Sequence, residues 1–226
     1  MSDEQRTYIP AAGRHWGLPF YDLLAKLLGA DRARARLVEG VSSAPGERIL
    51  EIGCGTGSML LLLKRAQPDA EVVGLDPDPK ALSIARRKAT GAGVEIRLDR
   101  GYADALPYDE GTFDHVVSSF MFHHLSSSEK EDALSEVRRV LRPGGRFHLL
   151  DFDGMGAGGH GIVARRIHAS RRLEDNGEER VLRFLGSAGL VEASVAGRVT
   201  TRFARMVWFR AAAPDADTRI HATPVG

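Results

Sequence analysis

The stretch ILEIGCGTG, Ile49 to Gly57, constrains this chain more than any other. Apolar Ile49, Leu50 and Ile52 run into Gly53, Gly55 and Gly57, and helix-forming sequence begins at once behind them. A buried strand that turns directly into a helix sets this backbone at the C-terminal edge of a parallel sheet, where open α/β folds bind their ligands. A single glycine would serve any tight turn. Three at alternate positions imply that something approaches the backbone too closely for side chains.

The rest of the pattern supplies the sheet. From Glu47 onward, short β-rich runs alternate with longer helical ones, the order that produces a parallel sheet covered by helices. Strands are predicted at 48–53, 71–76, 94–99, 113–120 and 146–152, and helices at 58–67, 78–90 and 127–141. The last helix opens on serines followed by acidic residues and stops at Arg142-Pro143-Gly144-Gly145, a marked start and stop. Two further β-rich runs, 191–201 and 202–211, are predicted to form an antiparallel pair. Before the core, residues 18–40 read as one or two amphipathic helices, and 214–226 lack periodicity. The organisation expected is a helical lid segment over 1–40, a ligand-binding domain over 41–213 and a loose tail over 214–226.

Spacing narrows the ligand. The dinucleotide fingerprint would place its third glycine at position 58, where Ser58 stands, so a nicotinamide or flavin enzyme is the runner-up. No Gly-Lys-Ser/Thr follows, which disfavours a P-loop. The 31 basic and 30 acidic residues nearly balance, so no strong positive field draws in nucleic acid. Cys54 is the only cysteine, which excludes an intrachain disulfide framework and fits a reducing, cytoplasmic compartment. The longest apolar run, Met59 to Leu63, is far short of the roughly 18 residues of a membrane span. His123-His124 lacks the spacing of a metal site, so no metal is expected.

Four segments carry a resemblance to a family. LEIGCGTG (50–57), VVGLDPDPKAL (72–82), ADALPYDEGTFDHVVSSFMFHHL (103–125) and EVRRVLRPGGRFHLLDF (136–152) resemble the successive motifs of class I S-adenosylmethionine (SAM) dependent methyltransferases. The likeness is greatest to the ubiquinone/menaquinone biosynthesis group. It implies a Rossmann-like α/β fold with a mostly parallel seven-stranded sheet and helices on both faces. It also implies SAM as cofactor, S-adenosylhomocysteine as product and a small-molecule acceptor that is aromatic, quinone-like or otherwise lipophilic. Macromolecular methylation stays open as an alternative, although Ser118-Ser119-Phe120-Met121 stands where base amino-group methyltransferases carry an Asn/Asp-Pro-Pro-Tyr motif.

Within that resemblance Gly53, Cys54, Gly55 and Gly57 form the cofactor loop, and Glu51 helps to fix the loop and the methionine amino group. Asp76, followed by Pro77, offers a carboxylate to the ribose hydroxyls, while Asp78 is the better placed cap for the next helix. Asp104 is suited to the adenine amino group and the Ala105 N–H to a ring nitrogen. Ser119, Phe120, Phe122 and His123 follow the fourth strand to the same edge, with Ser119 beside the methionine end and the two Phe rings as acceptor walls. His123 has two readings, catalytic base or structural residue, and His124 is expected to be structural. Tyr8, His15, Trp16 and Tyr21 lie in an aromatic stretch without a period. They either close over the acceptor, with His15 and Tyr21 as further catalytic candidates and Tyr8 and Trp16 as substrate contacts, or pack the segment onto the domain.

Overall fold

The computed structural model describes residues 29–41, 43–154, 175–201 and 205–216. Seven strands form one sheet: β1 (Arg48–Ile52), β2 (Glu71–Asp76), β3 (Arg97–Arg100), β4 (Phe113–Ser119), β5 (Leu141–Phe152), β6 (Val191–Thr200) and β7 (Arg205–Ala212). Their order is β3-β2-β1-β4-β5-β7-β6. The first five are mutually parallel, while β7 runs antiparallel to both β5 and β6. The chain leaves β1 toward one edge, through β2 and β3, and then returns to β4 on the other side. That reversal opens a crevice beyond the C-terminal ends of β1 and β4.

Helices α1 (Ala30–Gly40), α2 (Ser58–Ala66), α3 (Pro79–Ala92), α4 (Ser127–Val140) and α5 (Glu178–Ser187) cover the sheet. Alternation along the strands divides the core in two. Leu50, Val116, Leu149 and Val207 face Leu134 and Val137 of α4 and Leu185 of α5. Ile49, Val117, Leu150 and Met206 face Ala33 and Leu37 of α1 and Met59, Leu60 and Leu63 of α2. Each such fully buried Leu contributes about 1.5–3 kcal/mol. The part of the expected lid that is described, α1, is therefore built into the core. Among the described residues no helix is long and apolar enough to cross a membrane.

The capping chemistry explains the element ends. Ser126 and Glu129 form the capping box of α4, the Ser126 N–H donating to Glu129 Oε2 at 2.6 Å. Helix α3 ends on Gly93 in the left-handed region, φ 65°, with the Val94 N–H donating back to the Ala89 carbonyl at 3.1 Å. That cap holds Val94 to the helix, so β3 begins at Arg97 rather than at 94 as predicted. The predicted stop at Arg142–Gly145 also becomes part of a strand. Phe113 pairs with Leu141 and His115 with Arg146, and the residues between them form an irregularity inside β5.

Candidate active site

The three glycines of the β1–α2 turn answer to three different neighbours. All have positive φ: 68° at Gly53, 52° at Gly55 and 79° at Gly57. A Cβ on Gly53 would lie 2.2 Å from Met121 Cγ, and one on Gly57 would lie 2.8 Å from Ala85 Cβ of α3. Gly53 and Gly57 are thus required by the fold itself. A Cβ on Gly55 would meet nothing within 4 Å. Among the described residues nothing stands over this bare backbone, so the turn leaves room for a ligand here.

Asp76, at the end of β2, fixes that surface. Its Oδ2 accepts the Gly55 N–H at 2.8 Å and its Oδ1 accepts the Asp78 N–H at 2.9 Å. One of the two lone pairs on each oxygen remains available. Asp78 is the N-cap of α3, as predicted, its side chain accepting from the Lys80 N–H at 2.9 Å. Burial pushes the Asp76 carboxyl up to about 6, against the pull of those two N–H donors. Pro77 lies between them, its carbonyl accepting from Arg100 Nε at 3.3 Å.

Glu51 is the most deeply buried acid here, 1 % exposed. Ser119 Oγ donates to its Oε1 at 3.1 Å and the Leu60 N–H also acts on the carboxyl, while among the described residues Oε2 has no partner at hydrogen-bond geometry. Burial pushes the Glu51 carboxyl up to about 8, although the Arg34 charge and the Ser119 hydroxyl act in the opposite direction. A buried carboxylate with one idle oxygen is costly unless something cationic completes it. Cys54 is buried among these acids, which pushes its thiol well up and rules it out as a nucleophile.

On the far side of the crevice, β4 ends in strained backbone. Phe120 has φ 56°, uncommon for a residue with a Cβ, and its N–H is held by the Leu150 carbonyl at 2.9 Å. Its ring packs on Phe152, centroids 5.0 Å apart. The chain then winds through a short 3₁₀ turn, Phe122–His124, that sends neighbouring side chains in different directions. Phe122 goes inward, 2 % exposed, between Phe184 and the Lys130 ammonium. This placement corrects the expectation that Phe122 lines the acceptor. His123 turns instead toward Asp151, at the end of β5, where its Nδ1 lies 2.6 Å from Oδ1 and its backbone N–H donates to Oδ2 at 2.9 Å. Burial alone would raise the Asp151 carboxyl, but the His123 charge and hydrogen bond and the Phe152 and His123 N–H groups hold it below the usual carboxylate range. The imidazole is flanked by His124, centroids 4.1 Å apart, and by the edge of Phe152 at 5.3 Å. Among the described residues nothing is bonded to Nε2.

Asp104 is half-buried in the turn after β3. The Ala105 N–H donates to the Tyr102 carbonyl at 3.3 Å, so within this turn it is already engaged. The following residues are pinned to α4, because Arg139 donates to the carbonyls of Leu106 and Tyr108 and Glu136 accepts the Leu106 N–H. Tyr8, His15, Trp16 and Tyr21 lie outside the described residues. Asp151 was not singled out in the sequence, although its place at the strand end beside the Gly-rich run 153–161 is itself a signal. Arg34 was missed as well: its position on the buried stripe of α1 is the sign.

Comparison with known proteins adds a family to this geometry. A family model described as a methyltransferase domain matches residues 49–145. A demethylmenaquinone methyltransferase of Thermus thermophilus is 43 % identical over 179 residues, covering 78 % of this chain and 75 % of that protein. The chain belongs to the class I SAM-dependent methyltransferases, in the ubiquinone/menaquinone group. A demethylmenaquinone methyltransferase of Deinococcus radiodurans is 39 % identical over 151 residues, 65 % of this chain and 61 % of its own length. The fold is shared with phosphoethanolamine N-methyltransferase 2 of Haemonchus contortus, solved with SAM, at TM-score 0.69 and 17 % identity over 82 % of this chain and 53 % of that one. The YcgJ protein of Bacillus subtilis aligns at TM-score 0.67 and 16 % identity, over 82 % of this chain and 99 % of its own. The methyltransferase site fits SAM, because the space over Gly55 is clear and the idle Glu51 oxygen suits a ligand that carries an ammonium group.

Proposed function

We propose that this methyltransferase acts on a reduced, quinone-like aromatic acceptor and methylates a ring carbon beside a hydroxyl. The observation that carries the reading is the His123–Asp151 dyad at the mouth of the crevice. A reduced quinone ring becomes a carbon nucleophile when a hydroxyl proton is removed, and an imidazole held by a carboxylate is suited to take it. Asp151 keeps the proton on Nδ1 and stabilises the imidazolium, which leaves Nε2 as the acceptor nitrogen. SAM, when bound, would supply an electrophilic methyl carbon whose sulfur leaves as a neutral thioether with the C–S electrons. The ring's own hydrogen then leaves as a proton to solvent, aromaticity returns, and the His123 imidazolium gives its proton back to the oxygen.

Other residues hold and align. Asp76 offers its remaining lone pairs to the ribose hydroxyls, Asp104 faces the adenine amino group, and Gly53, Cys54, Gly55 and Gly57 shape the cofactor loop. Phe120 and Phe152 form an apolar wall that excludes water from the transferring methyl. The names of the Thermus and Deinococcus relatives support an acceptor of this class. A single buried cysteine supports a reducing, cytoplasmic setting. The test is turnover of SAM with a short-chain 2-prenyl-1,4-naphthoquinone kept reduced by dithionite, the product located by NMR. Methyl on a ring carbon, with loss of about a hundredfold or more in kcat for His123→Ala, is the expected result. Transfer to an amine acceptor but to no reduced quinone would overturn it.

A further inference from the structure

Lys130 lies near the N-terminus of α4 and is 0 % exposed. Neither fact favours a lysine. A buried ammonium is costly unless it is well partnered, and the positive end of a helix disfavours a nearby cation. Two of its contacts lead toward the His123–Asp151 dyad. Its Nζ donates to Asn176 Oδ1 at 2.6 Å and lies 5.1 Å from the centroid of the Phe122 ring. Asn176, 1 % exposed, donates in turn from Nδ2 to the Phe152 carbonyl at 3.4 Å. Phe122 immediately precedes His123, and Phe152 immediately follows Asp151. One chain of contacts, Phe122–Lys130–Asn176–Phe152, thus joins the residue before the histidine to the residue after the carboxylate. Its middle is itself fixed. Asp175 accepts from Ser127 Oγ of α4 and pairs with Arg180 of α5 at 2.9 Å, so the segment that carries Asn176 is tied to two helices.

We propose that Lys130 and Asn176 are positioning residues that hold the ends of β4 and β5 in register with one another and so keep the His123 imidazole aligned for proton transfer. The inference rests on the reading of His123 and Asp151 as the base of the reaction. The β4–β5 pairing ends at Ser119 and Leu150, short of both dyad residues, so other contacts align them. Alignment matters here, because a displacement of about 1 Å in such a group costs up to about a hundredfold in rate.

The test compares the parent with Asn176→Asp and with the double variant Lys130→Met/Asn176→Leu. Asn176→Asp keeps an acceptor for Lys130 but sets a carboxylate oxygen against the Phe152 carbonyl. The double variant removes both polar partners together, which is nearly neutral for folding. The first readout is the NMR resonance of the His123 Nδ1–H, moved far downfield by its carboxylate and assigned by its loss in His123→Ala. It needs neither SAM nor acceptor. The second is kcat and KM for the reduced naphthoquinone. In both variants the resonance should move upfield or broaden away, and kcat should fall about ten- to a hundredfold while KM and SAM affinity stay within about twofold of the parent. An unchanged resonance or an unchanged kcat in a folded variant overturns the proposal. Failure of both variants to fold overturns it too, since the pair would then serve the core rather than the dyad. A parent that lacks the resonance sinks the dyad, and this inference with it. A parent that shows the resonance but methylates no reduced quinone sinks the reading of the reaction, and the NMR arm alone then decides the alignment.

Discussion

Both ends of the central strands bury polar groups, and they treat them in opposite ways. At the N-terminal end the groups answer one another. Asp114 accepts the Arg48 N–H at 2.7 Å and pairs with Arg142 at 2.6 Å, and Arg142 also reaches Glu47 at 2.9 Å. Glu47 in turn lies 3.4 Å from His115, whose other nitrogen is 3.4 Å from His148. At the C-terminal end Glu51 and Arg34 keep idle atoms, Phe120 holds a strained φ, and Gly55 faces open space. A closed polar network stabilises a fold, whereas buried groups left incomplete cost stability and persist where a ligand completes them. Each cluster includes buried titratable groups, His115 and His148 at one end and Glu51 and Arg34 at the other, so burial alone does not mark a site. The difference lies in whether the partners are already present.

The sharpest way to break this contrast is Gly55→Val. A side chain there enters the space assigned to the cofactor, so affinity for S-adenosylhomocysteine should fall by about a hundredfold or more, the scale of an overpacked contact. Folding should lose only the roughly 1–2 kcal/mol of a left-handed residue with a Cβ. Gly57→Val, whose Cβ collides with Ala85, should lose more stability than Gly55→Val does. Calorimetry and thermal melting of both variants measure the two quantities. Equal affinity in Gly55→Val and the parent would end the assignment.

The next effect is smaller and belongs to the other end. Asp114→Ala leaves the Arg48 N–H without its acceptor and Arg142 with Glu47 alone, at a cost of about 1–3 kcal/mol in urea unfolding. Cofactor affinity should be unchanged, because no group at the C-terminal edge depends on Asp114. A variant that keeps its stability but loses affinity would show that the two ends are not separate.

Much of this contrast was legible in the sequence, and its gaps have physical causes. The strand positions, the glycine turn, Asp76 and the Asp78 cap follow from local spacing, because each is set within a few residues. The His123–Asp151 pair joins positions 28 apart that meet only when β4 and β5 lie side by side. Phe122 was misread because nearness to the sheet edge was taken for a place facing the crevice, whereas a 3₁₀ turn sends its ring inward. Arg34 was within reach, since helical spacing from Ala30 to Val38 puts it on the apolar stripe. The roles of Tyr8, His15, Trp16 and Tyr21 remain the lid proposal, which hydrogen exchange of residues 1–28 with and without SAM tests directly. Equal protection in both states would return those aromatics to packing.

The mildest test uses pH, because the two ends respond to it with opposite sign. His148 is held down to about 3 by burial, with the charges of His115, Arg146 and Arg210 adding to it, and burial also lowers His115 against the pull of Glu47 and Asp114. Between about 3 and 6.5 the unfolded His148 carries a proton that the folded one lacks, so its contribution is complete above pH 6.5 and is lost as pH falls. Glu51 behaves in reverse. Burial raises it from 4.5 to about 8, against Arg34 and Ser119 and with help from Asp76, so the folded state holds a proton that the unfolded state has released. Its contribution is complete below pH 4.5 and is lost as pH rises toward 8. Between pH 6.5 and 8 the histidine contribution is already complete and the Glu51 slope remains, at most about 1.4 kcal/mol per pH unit. The free protein's melting temperature should therefore fall over this interval, and Glu51→Gln should flatten the fall. Saturating S-adenosylhomocysteine should flatten it as well, since an ammonium beside Glu51 favours the carboxylate and removes the proton difference. A slope indifferent to both the substitution and the ligand would mean that Glu51 is already satisfied, and the distinction between the two ends of the sheet would lose its main support.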